Sequence, residues 1–210
     1  MTQNISHAVM AQRVEPPDSL DFFPTPPWAT RALCQRLGGA GGLNRLSCWD
    51  PAAGEGHMVR PLHEYFCAVA GTDCFDYGRG FAVRDFLFPT PPDIQPDWII
   101  TNPPFKLAAE FIETALQRAR VGVAMLCRTA LLEGGDRHRR IYARRPPAWV
   151  GVFSERVPMV KGRLDRAASS ATSYAWFVWR RADGPPVGDP GLKWFPPGTR
   201  AALERDEDYP

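Results

Sequence analysis

The stretch LSCWDPAAGEGHM, residues 46–58, decides the fold. It begins with a short apolar run that ends in the carboxylate of Asp50, as a short buried strand would. Gly54 and Gly56 then allow a sharp turn, because glycine adopts backbone conformations that a side chain disfavours. A helix is predicted from this turn to about Tyr65. A buried strand that passes through a glycine-rich turn into a helix indicates an α/β sheet.

Two further helices flank this unit. The first is predicted in the stretch TPPWATRALCQRLGG, with two to three turns, since proline stands near its start and glycines follow its apolar positions. The second is the clearest in the chain and covers residues 106–120. There Leu107, Phe111, Ile112 and Leu116 are spaced to form one apolar face.

The strands complete an alternating pattern. The run FAVRDFLF predicts a strand or a loop. Other runs rich in apolar and β-branched residues predict strands in FCAVAGTD, DWIITNPPF, VGVAMLCRTALL, AWVGVFS and SYAWFVWRR. The last two runs predict a hairpin with a long loop. The fold class is therefore α/β, a mostly parallel open sheet with an antiparallel C-terminal hairpin that supplies one reversed edge strand.

Composition fits an ordinary globular protein. The chain has 210 residues, with 44% hydrophobic and 23% charged residues, enough for one domain with a sizeable core. No apolar run approaches the roughly 18 residues of a membrane span, and the N-terminus lacks the layout of a signal peptide. We therefore expect a cytoplasmic protein without a membrane partner. The five cysteines form no CxxC pair, which predicts reduced thiols and no metal site.

Residues capable of chemistry stand at the ends of the predicted strands, in DPAAGEG, GTD, RDF and TNPPF. Ligands of open α/β sheets bind outside the carboxyl ends of the strands, so we expect these motifs to line one edge. Asp50 can accept a hydrogen bond from a cationic amine. Asp73 follows 23 residues later, near the spacing at which an acid reaches ribose hydroxyls. Asp85 can accept from an adenine amine while the ring of Phe86 packs on the base.

The stretch TNPPF suggests how a planar amine could react. The lone pair of an exocyclic amine is delocalised into its aromatic ring, and two acceptors aimed at its N–H groups favour a reactive, pyramidal geometry. The side-chain oxygen of Asn102 and the carbonyl of Pro103 can be those acceptors. Pro104 would hold the carbonyl in place, and Phe105 would offer a face for the base. Both motifs also have a purely structural interpretation, because a Pro-Pro turn after a strand and a glycine-rich turn can form without any ligand.

DPAAGEG followed by NPPF resembles the amino-methyltransferases that use S-adenosylmethionine, in particular the N6-adenine DNA methyltransferases. The segment DFFPTPPWAT is similar to the N-terminal segment of that family, and the motif order is similar to its gamma arrangement. Small phage and prophage enzymes are the most similar of these. The resemblance covers roughly residues 20–181. It implies a Rossmann-like class I methyltransferase fold with a seven-stranded sheet. Residues 1–18 are polar and lack periodicity, which predicts a flexible arm before a catalytic domain over 19–182. The Pro/Gly-rich residues 183–210 predict a tail that packs on the domain, with the rings of Trp194 and Phe195 available to dock.

The resemblance also implies roles for individual residues. Asn102, Pro103, Pro104 and Phe105 would hold the target amine. S-adenosylmethionine, with S-adenosylhomocysteine as its product, would be bound by Thr25, Pro26, Asp50, Pro51, Ala52, Gly54, Gly56, Asp73, Asp85 and Phe86.

Basic residues are concentrated in one part of the chain. Residues 121–181 hold 12 Lys and Arg against 4 Asp and Glu, a balance of +8, whereas the rest has 13 against 19, a balance of −6. A basic face of this kind suggests a polyanion as partner, although a solvated basic surface would look the same. Restriction-type relatives carry a separate recognition domain, and no stretch of this sequence is long enough for one. We therefore expect DNA contacts from Arg137, Arg139, Arg140, Arg144, Arg145, Lys161, Arg163 and Arg166.

Alternatives remain open at this point. The DNA would be a duplex with a flipped-out base or a single strand. Asn-Pro-Pro-aromatic motifs also serve enzymes that methylate RNA bases or a protein glutamine, and the basic region favours nucleic acid without separating DNA from RNA. A binding module that kept the fold without the activity is a third possibility. The recognition sequence and the oligomeric state do not follow from the sequence.

Overall fold

The computed structural model describes residues 21–88, 95–181 and 190–209, and an eight-stranded sheet organises them. Its strands are β1 (Ser47–Asp50), β2 (Ala68–Asp73), β3 (Ala82–Val83), β4 (Trp98–Thr101), β5 (Gly122–Arg128), β6 (Trp149–Phe153), β7 (Tyr174–Arg180) and β8 (Gly191–Phe195). The order across the sheet is β3-β2-β1-β4-β5-β7-β6-β8. The predicted α/β class with a mostly parallel sheet is confirmed.

Two details of the predicted sheet were wrong. The sheet has eight strands, not seven, because part of the predicted tail forms β8 and pairs with β6 in parallel. The reversed strand β7 is not at an edge either. It lies between β5 and β6 and is antiparallel to both, with Gly122 opposite Arg180 and Arg128 opposite Tyr174. The apolar residues on both of its faces are fully buried, as a central strand requires.

The helices pack on the two faces of the sheet. They are α1 (Pro27–Leu37), α2 (Gly39–Leu43), α3 (Val59–Leu62), α4 (Ala108–Arg118), α5 (Gly135–Arg137) and α6 (Thr199–Leu203). The helix after the glycine turn is shorter than predicted. The i→i−4 hydrogen bonds continue through His63, and the tighter i→i−3 bonds of Glu64 and Tyr65 then replace them, so irregular turns continue to Phe66. Leu107 lies in a 3₁₀ turn before α4 and is 42% exposed, so it leaves the predicted apolar face.

Alternation along the strands divides the core into two layers. In β4, Trp98 and Ile100 face the layer that contains Trp28 of α1, whereas Ile99 faces the layer that contains Ile112 of α4. All of these side chains are at most 1% exposed. This period of two is what a strand covered by helices on both sides requires. None of the helices in the described part of the chain is long and apolar enough to cross a lipid bilayer.

The C-terminal tail is partly built into the domain. Phe195 of β8 is buried and stacks on Phe153 of β6, with 4.4 Å between the ring centroids. Trp194, the other ring expected to dock, is 57% exposed. After α6, Asp208 forms a bidentate ion pair with the buried Arg31 of α1. The predicted arm over 1–18 and the start of the tail lie outside the described residues.

Candidate active site

A cavity of about 230 Å³ lies at the carboxyl ends of β1, β2 and β4, as the strand-end motifs predict. Each of the four motifs contributes to its wall, and the segment before α1 closes it from the other side. The wall consists of Asp21, Phe22, Phe23, Pro24, Thr25, Asp50, Pro51, Ala52, Ala53, His57, Met58, Asp73, Cys74, Tyr77, Asp85, Phe86, Leu87, Asn102, Pro104, Leu107 and Phe111.

The glycine turn requires its glycines. Gly54 has φ +52° and Gly56 has φ +83°, the left-handed region that side chains disfavour. A Cβ atom at Gly54 would also lie 2.5 Å from the ring of Phe22. The backbone N–H of Gly54 donates to Oδ2 of Asp73 at 2.9 Å. The turn after β1 and the acid that ends β2 are therefore one hydrogen-bonded unit, covered by an aromatic side chain.

Asp50 is a buried carboxyl group in the cavity wall, 1% exposed. Its Oδ1 accepts from the hydroxyl of Thr101 at 2.6 Å and from the backbone N–H of Ala52 at 3.2 Å. Burial raises the pKa of Asp50 to about 7, although these two hydrogen bonds act in the opposite direction. A cationic group placed in the cavity would favour the ionised form. Asp50 is thus suited to accept from a ligand's ammonium group.

The other two predicted acids also reach the cavity. Asp73 is 9% exposed, and its Oδ1 accepts from the backbone N–H of Phe75 while Oδ2 serves the glycine turn. Asp85 is exposed, and its Oδ1 accepts from the N–H of Leu87 in an Asx turn. Each carboxylate keeps acceptor capacity for a ligand, since a carboxylate has about four lone-pair sites.

The ring of Phe86 is a buried part of the cavity wall, 1% exposed. It packs edge-on against Trp49 at 5.2 Å, and Phe111 lies 4.9 Å away. The guanidinium carbon of Arg118 also lies 4.9 Å from its centroid. These neighbours fix the orientation of the ring, so Phe86 forms a rigid apolar wall beside Asp85.

The segment before α1 is held by the loop that connects β6 to β7. The N–H of Gly162 donates to the carbonyl of Phe22 at 2.9 Å, and the hydroxyl of Thr25 lies 4.0 Å from the sulfur of Met159. Thr25 is buried and lines the cavity. Pro26 is buried but is not part of the wall. It directly precedes α1, and its carbonyl accepts from the backbone N–H of Ala29.

Asn102 holds a buried acceptor for which the described residues supply no donor. Its Nδ2 donates to the carbonyl of Phe23 at 2.9 Å and lies 3.6 Å from the sulfur of Met159. Both N–H groups of the amide therefore have partners. Its Oδ1 is buried and, within the parts of the chain that the structure covers, accepts no hydrogen bond. Among the buried side-chain atoms that lack a partner in the described residues, Oδ1 of Asn102 is the one that belongs to a residue of the cavity wall. A buried unpaired polar atom costs free energy, and a ligand that donates to it would remove this cost.

The other members of the NPPF motif differ in placement. Pro104 lines the cavity, whereas Pro103 is buried and Phe105 lies outside the wall. The Phe105 ring was predicted to offer a face for a base. In the structure the guanidinium carbon of Arg128 lies 4.0 Å above that ring, and Phe23 contacts it with centroids 5.1 Å apart. A base that stacks on the face covered by Arg128 has to displace that side chain.

The eight predicted DNA contacts do not form one surface. Arg140 pairs with Glu110 and Glu113, and Arg139 lies 3.5 Å from Asp136. Arg163 pairs with Asp165, and Arg166 with Glu204 and Asp206. The guanidinium of Arg137 donates to two backbone carbonyls.

The remaining cations are divided between two edges of the sheet. Lys161 lies in the β6–β7 loop beside Gly162, which is hydrogen-bonded to a residue of the cavity wall. Arg144 and Arg145 lie near the start of β6, at the opposite edge. These cations lie at different edges because the connection after β5 crosses from one edge of the sheet to the other.

Several residues at the site were not predicted. Met159 contacts both Thr25 and Asn102, and Arg128 covers Phe105. Tyr77 lies in the cavity wall, 4.7 Å from Phe22. The segment DFFPTPP could have indicated that Phe22 lies at the site. A lone methionine in a polar loop gives no sequence signal, so Met159 could not have been predicted.

The sheet order, the glycine turn after β1 and the cavity at the strand ends are those of the class I methyltransferase fold. No protein-family model and no curated protein sequence matches the chain.

Solved structures share this fold at low sequence identity. A modification subunit assigned to a type I restriction enzyme of Vibrio vulnificus YJ016 has 14% identity and a TM-score of 0.60 over 84% of this chain and 48% of its own. The methyltransferase subunit of a type I restriction-modification system from Streptococcus thermophilus has 11% identity and a TM-score of 0.59 over 76% and 45%. The chain thus spans about half the length of these two proteins.

A third structure shows that the fold alone does not define a substrate. Magnesium protoporphyrin IX methyltransferase of Synechocystis PCC 6803, with bound S-adenosylmethionine, has 14% identity and a TM-score of 0.51. The match covers 74% of this chain and 79% of that protein. Any substrate of the present protein therefore has to be argued from its own site.

Proposed function

We propose that the protein transfers a methyl group from S-adenosylmethionine to the exocyclic N6 amine of adenine in DNA. The observation that carries this proposal is the buried, unpaired Oδ1 of Asn102 beside the cavity. An amine N–H would satisfy this acceptor. The two N–H groups of the Asn102 amide already have partners, so the oxygen is fixed as the atom available to a substrate.

The cavity fits the cofactor by its chemistry. Asp50 would accept from the ammonium group of the methionine part, Asp73 from the ribose hydroxyls and Asp85 from the adenine amine. The glycine turn lets the backbone approach the ligand closely, and Phe86 and Phe111 supply an apolar wall. When bound, S-adenosylmethionine supplies an electrophilic methyl group.

The residues of the chain would act on the amine by position and polarity. Oδ1 of Asn102 would accept one amine hydrogen and withdraw the nitrogen lone pair from conjugation with the ring. The carbonyl of Pro103 would accept the other. Preorganised acceptors of this kind stabilise positive charge as it develops on nitrogen, and no general base is required because the proton can leave afterwards.

Charge at the same edge favours nucleic acid as the substrate. Arg128 is exposed at the end of β5, and in the β6–β7 loop Lys161 stands next to Gly162, which is hydrogen-bonded to Phe22. Phosphates would bind to these cations, so DNA affinity should fall steeply with salt. RNA or a protein glutamine as the methyl acceptor, or binding without turnover, are the outcomes that the experiment below distinguishes.

The test uses the labelled methyl group of the cofactor, supplied with DNA, RNA and cell protein in separate reactions. We expect label in DNA as N6-methyladenine, identified by digestion and nucleoside mass spectrometry. Asn102→Ala should abolish this product and leave cofactor affinity nearly unchanged, whereas Asn44→Ala, at an exposed asparagine, should leave both unchanged. Label confined to RNA or protein would contradict the DNA assignment, and no label in any of the three would contradict the activity.

A further inference from the structure

A second cavity, of about 350 Å³, lies at the edge of the sheet opposite to the candidate active site. It is formed by the first residues of β5, the last residues of β7 and the chain that precedes β6. Gly122, which lines it, is the first residue of β5 and pairs with Arg180, the last of β7. A seven-residue strand separates the two edges, a distance of roughly 20 Å. The two cavities are therefore distinct.

Four arginines surround this second cavity, which we call the basic pocket: Arg144, Arg145, Arg180 and Arg181. All four are exposed. Within residues 21–88, 95–181 and 190–209, none of them forms an ion pair, in contrast to Arg140, which pairs with Glu110 and Glu113. Like charges around one cavity repel one another, and the residues that the structure describes supply no carboxylate that pairs with them, so a polyanion would stabilise the basic pocket.

Backbone contacts hold part of this cluster in place but use few of its donors. Arg145 donates to the carbonyl of Leu116 at 3.3 Å and Arg181 to that of Ala119 at 3.0 Å, both at the end of α4. A guanidinium group has five N–H donors, so most remain available. On the other face of the sheet, Arg180 donates to the carbonyl of Leu37 at 3.5 Å, at the end of α1. Capping of helix ends thus accounts for three of the four arginines and leaves Arg144 unexplained. Arg144 donates no side-chain hydrogen bond to any residue that the structure describes.

The rest of the basic pocket is apolar. Val123 and Trp179 contribute to its wall, and the indole N–H of Trp179 donates to the carbonyl of Arg145 at 2.9 Å, which orients the ring. A ligand that matches both parts carries several negative charges and an apolar or planar portion. Guanidinium forks bind phosphate oxygens in pairs, and a single carboxylate would balance only one of the four charges.

We propose that the basic pocket binds the phosphate groups of a nucleotide, which is either free or part of a nucleic-acid strand. Its base or sugar would lie against the apolar wall. The proposal does not rest on the methyl transfer proposed above, since none of the pocket residues touches the cavity at the strand ends. It assigns Arg144 and Arg145 to a site of their own, separate from any target base.

The test measures binding of fluorescent adenosine triphosphate and of a fluorescent 12-nucleotide single strand by anisotropy, without S-adenosylmethionine. The double variant Arg144→Gln/Arg145→Gln removes two of the charges that line the pocket. The control Arg36→Gln/Arg45→Gln removes two exposed charges outside the pocket. We expect affinity to fall roughly tenfold or more in the pocket variant, since hydrogen bonds between charged groups are lost, and to change little in the control. Inorganic pyrophosphate should displace either probe.

The outcomes are distinct. Tighter binding of the strand would identify nucleic acid as the source of the phosphate, and tighter binding of the triphosphate would identify a free nucleotide. An equal loss in both double variants would reflect general charge and would overturn the proposal, as would failure of pyrophosphate to compete. Unchanged thermal midpoints would verify that the variants fold. Methylation is not the readout, so failure of this site and failure of the methyl transfer are distinguishable.

Discussion

The side-chain nitrogen of Asn102 lies 3.6 Å from the sulfur of Met159, a residue on the loop between β6 and β7. The same nitrogen donates to the carbonyl of Phe23 at 2.9 Å. Together these acceptors fix which end of the amide is free. Met159 is therefore a positioning residue for the amine site, although it lies outside the NPPF motif and 57 residues after Asn102 in the sequence.

Replacing Met159 with leucine tests this relationship. Leucine keeps much of the volume but removes the acceptor, so one amide N–H loses its partner and the Oδ1 orientation is less well fixed. Given the proposed methyl transfer, we expect kcat to fall roughly three- to tenfold, the value of one ordinary hydrogen bond, with a smaller effect on KM. Steady-state kinetics would measure both. Met125→Leu, at a methionine buried in the other core layer, is the control and should keep kcat. A change in KM alone would contradict a positioning role.

Gly54→Ala should weaken both the fold and the cofactor site. The backbone there has φ +52°, and the new Cβ would lie 2.5 Å from the Phe22 ring, so the turn or the ring has to move. We expect the free energy of unfolding to fall by about 1–3 kcal/mol, with a loss of affinity for S-adenosylhomocysteine. Urea denaturation and calorimetry would measure these.

Gly41→Ala is the matched control for that substitution. Gly41 lies in α2 with open space around its Cβ position, and alanine there should be neutral or stabilise by roughly 0.5–1 kcal/mol. Equal effects of the two substitutions would show that the turn does not need glycine at position 54.

Asp50 should make cofactor binding depend on pH. Burial raises its pKa to about 7, so below this pH the free protein holds a neutral carboxyl group, which has to lose its proton to pair with an ammonium group. Affinity for S-adenosylhomocysteine should therefore rise with pH and level off above about 7. Well below the pKa, the slope should approach roughly tenfold per unit.

Calorimetry in two buffers of different ionisation enthalpy would detect the proton released on binding. Asp50→Asn should bind more weakly and lose this pH dependence. His57 does not interfere above pH 5, because burial lowers its pKa to about 4 and it stays neutral there. An affinity that is constant between pH 5 and 8 would contradict the role given to Asp50.

The strand-end motifs were placed correctly from sequence because a parallel sheet brings the carboxyl ends of its strands to one edge, whatever the loops do. Asp50, Asp73 and Asn102 thus share a wall although 52 residues separate the first from the last. The arginines could not be placed in this way. Arg140 is neutralised by α4, and Arg145 lies at the far edge, because irregular turns between β5 and β6 cross the whole sheet. Met159 was missed for the same reason, since tertiary packing alone brings its loop to Asn102.

The ion pair of Arg31 with Asp208 predicts that the chain's last turns stabilise the domain. Both side chains are 4% exposed, and 2.7 Å separates Nη1 from Oδ2. Burial opposes ionisation of Asp208, but the hydrogen bonds from Arg31 outweigh it and hold the pKa of Asp208 below its usual value. Asp208→Asn leaves Arg31 with the carboxylate of Glu64 and the carbonyl of Leu203 and removes one of its two ion pairs, so we expect a loss of about 3 kcal/mol in the free energy of unfolding at pH 7.

The matched control is Asp206→Asn, at a side chain that is 92% exposed and paired with Arg166, which should change stability by less than about 1 kcal/mol. Because a lowered pKa stabilises the fold only where the carboxylate is ionised, the difference between wild type and Asp208→Asn should shrink as pH falls through the folded-state pKa. Urea denaturation at pH 7 and at acid pH would measure this. Equal stability of the two variants at pH 7 would show that the Asp208 contact contributes no more than a surface pair.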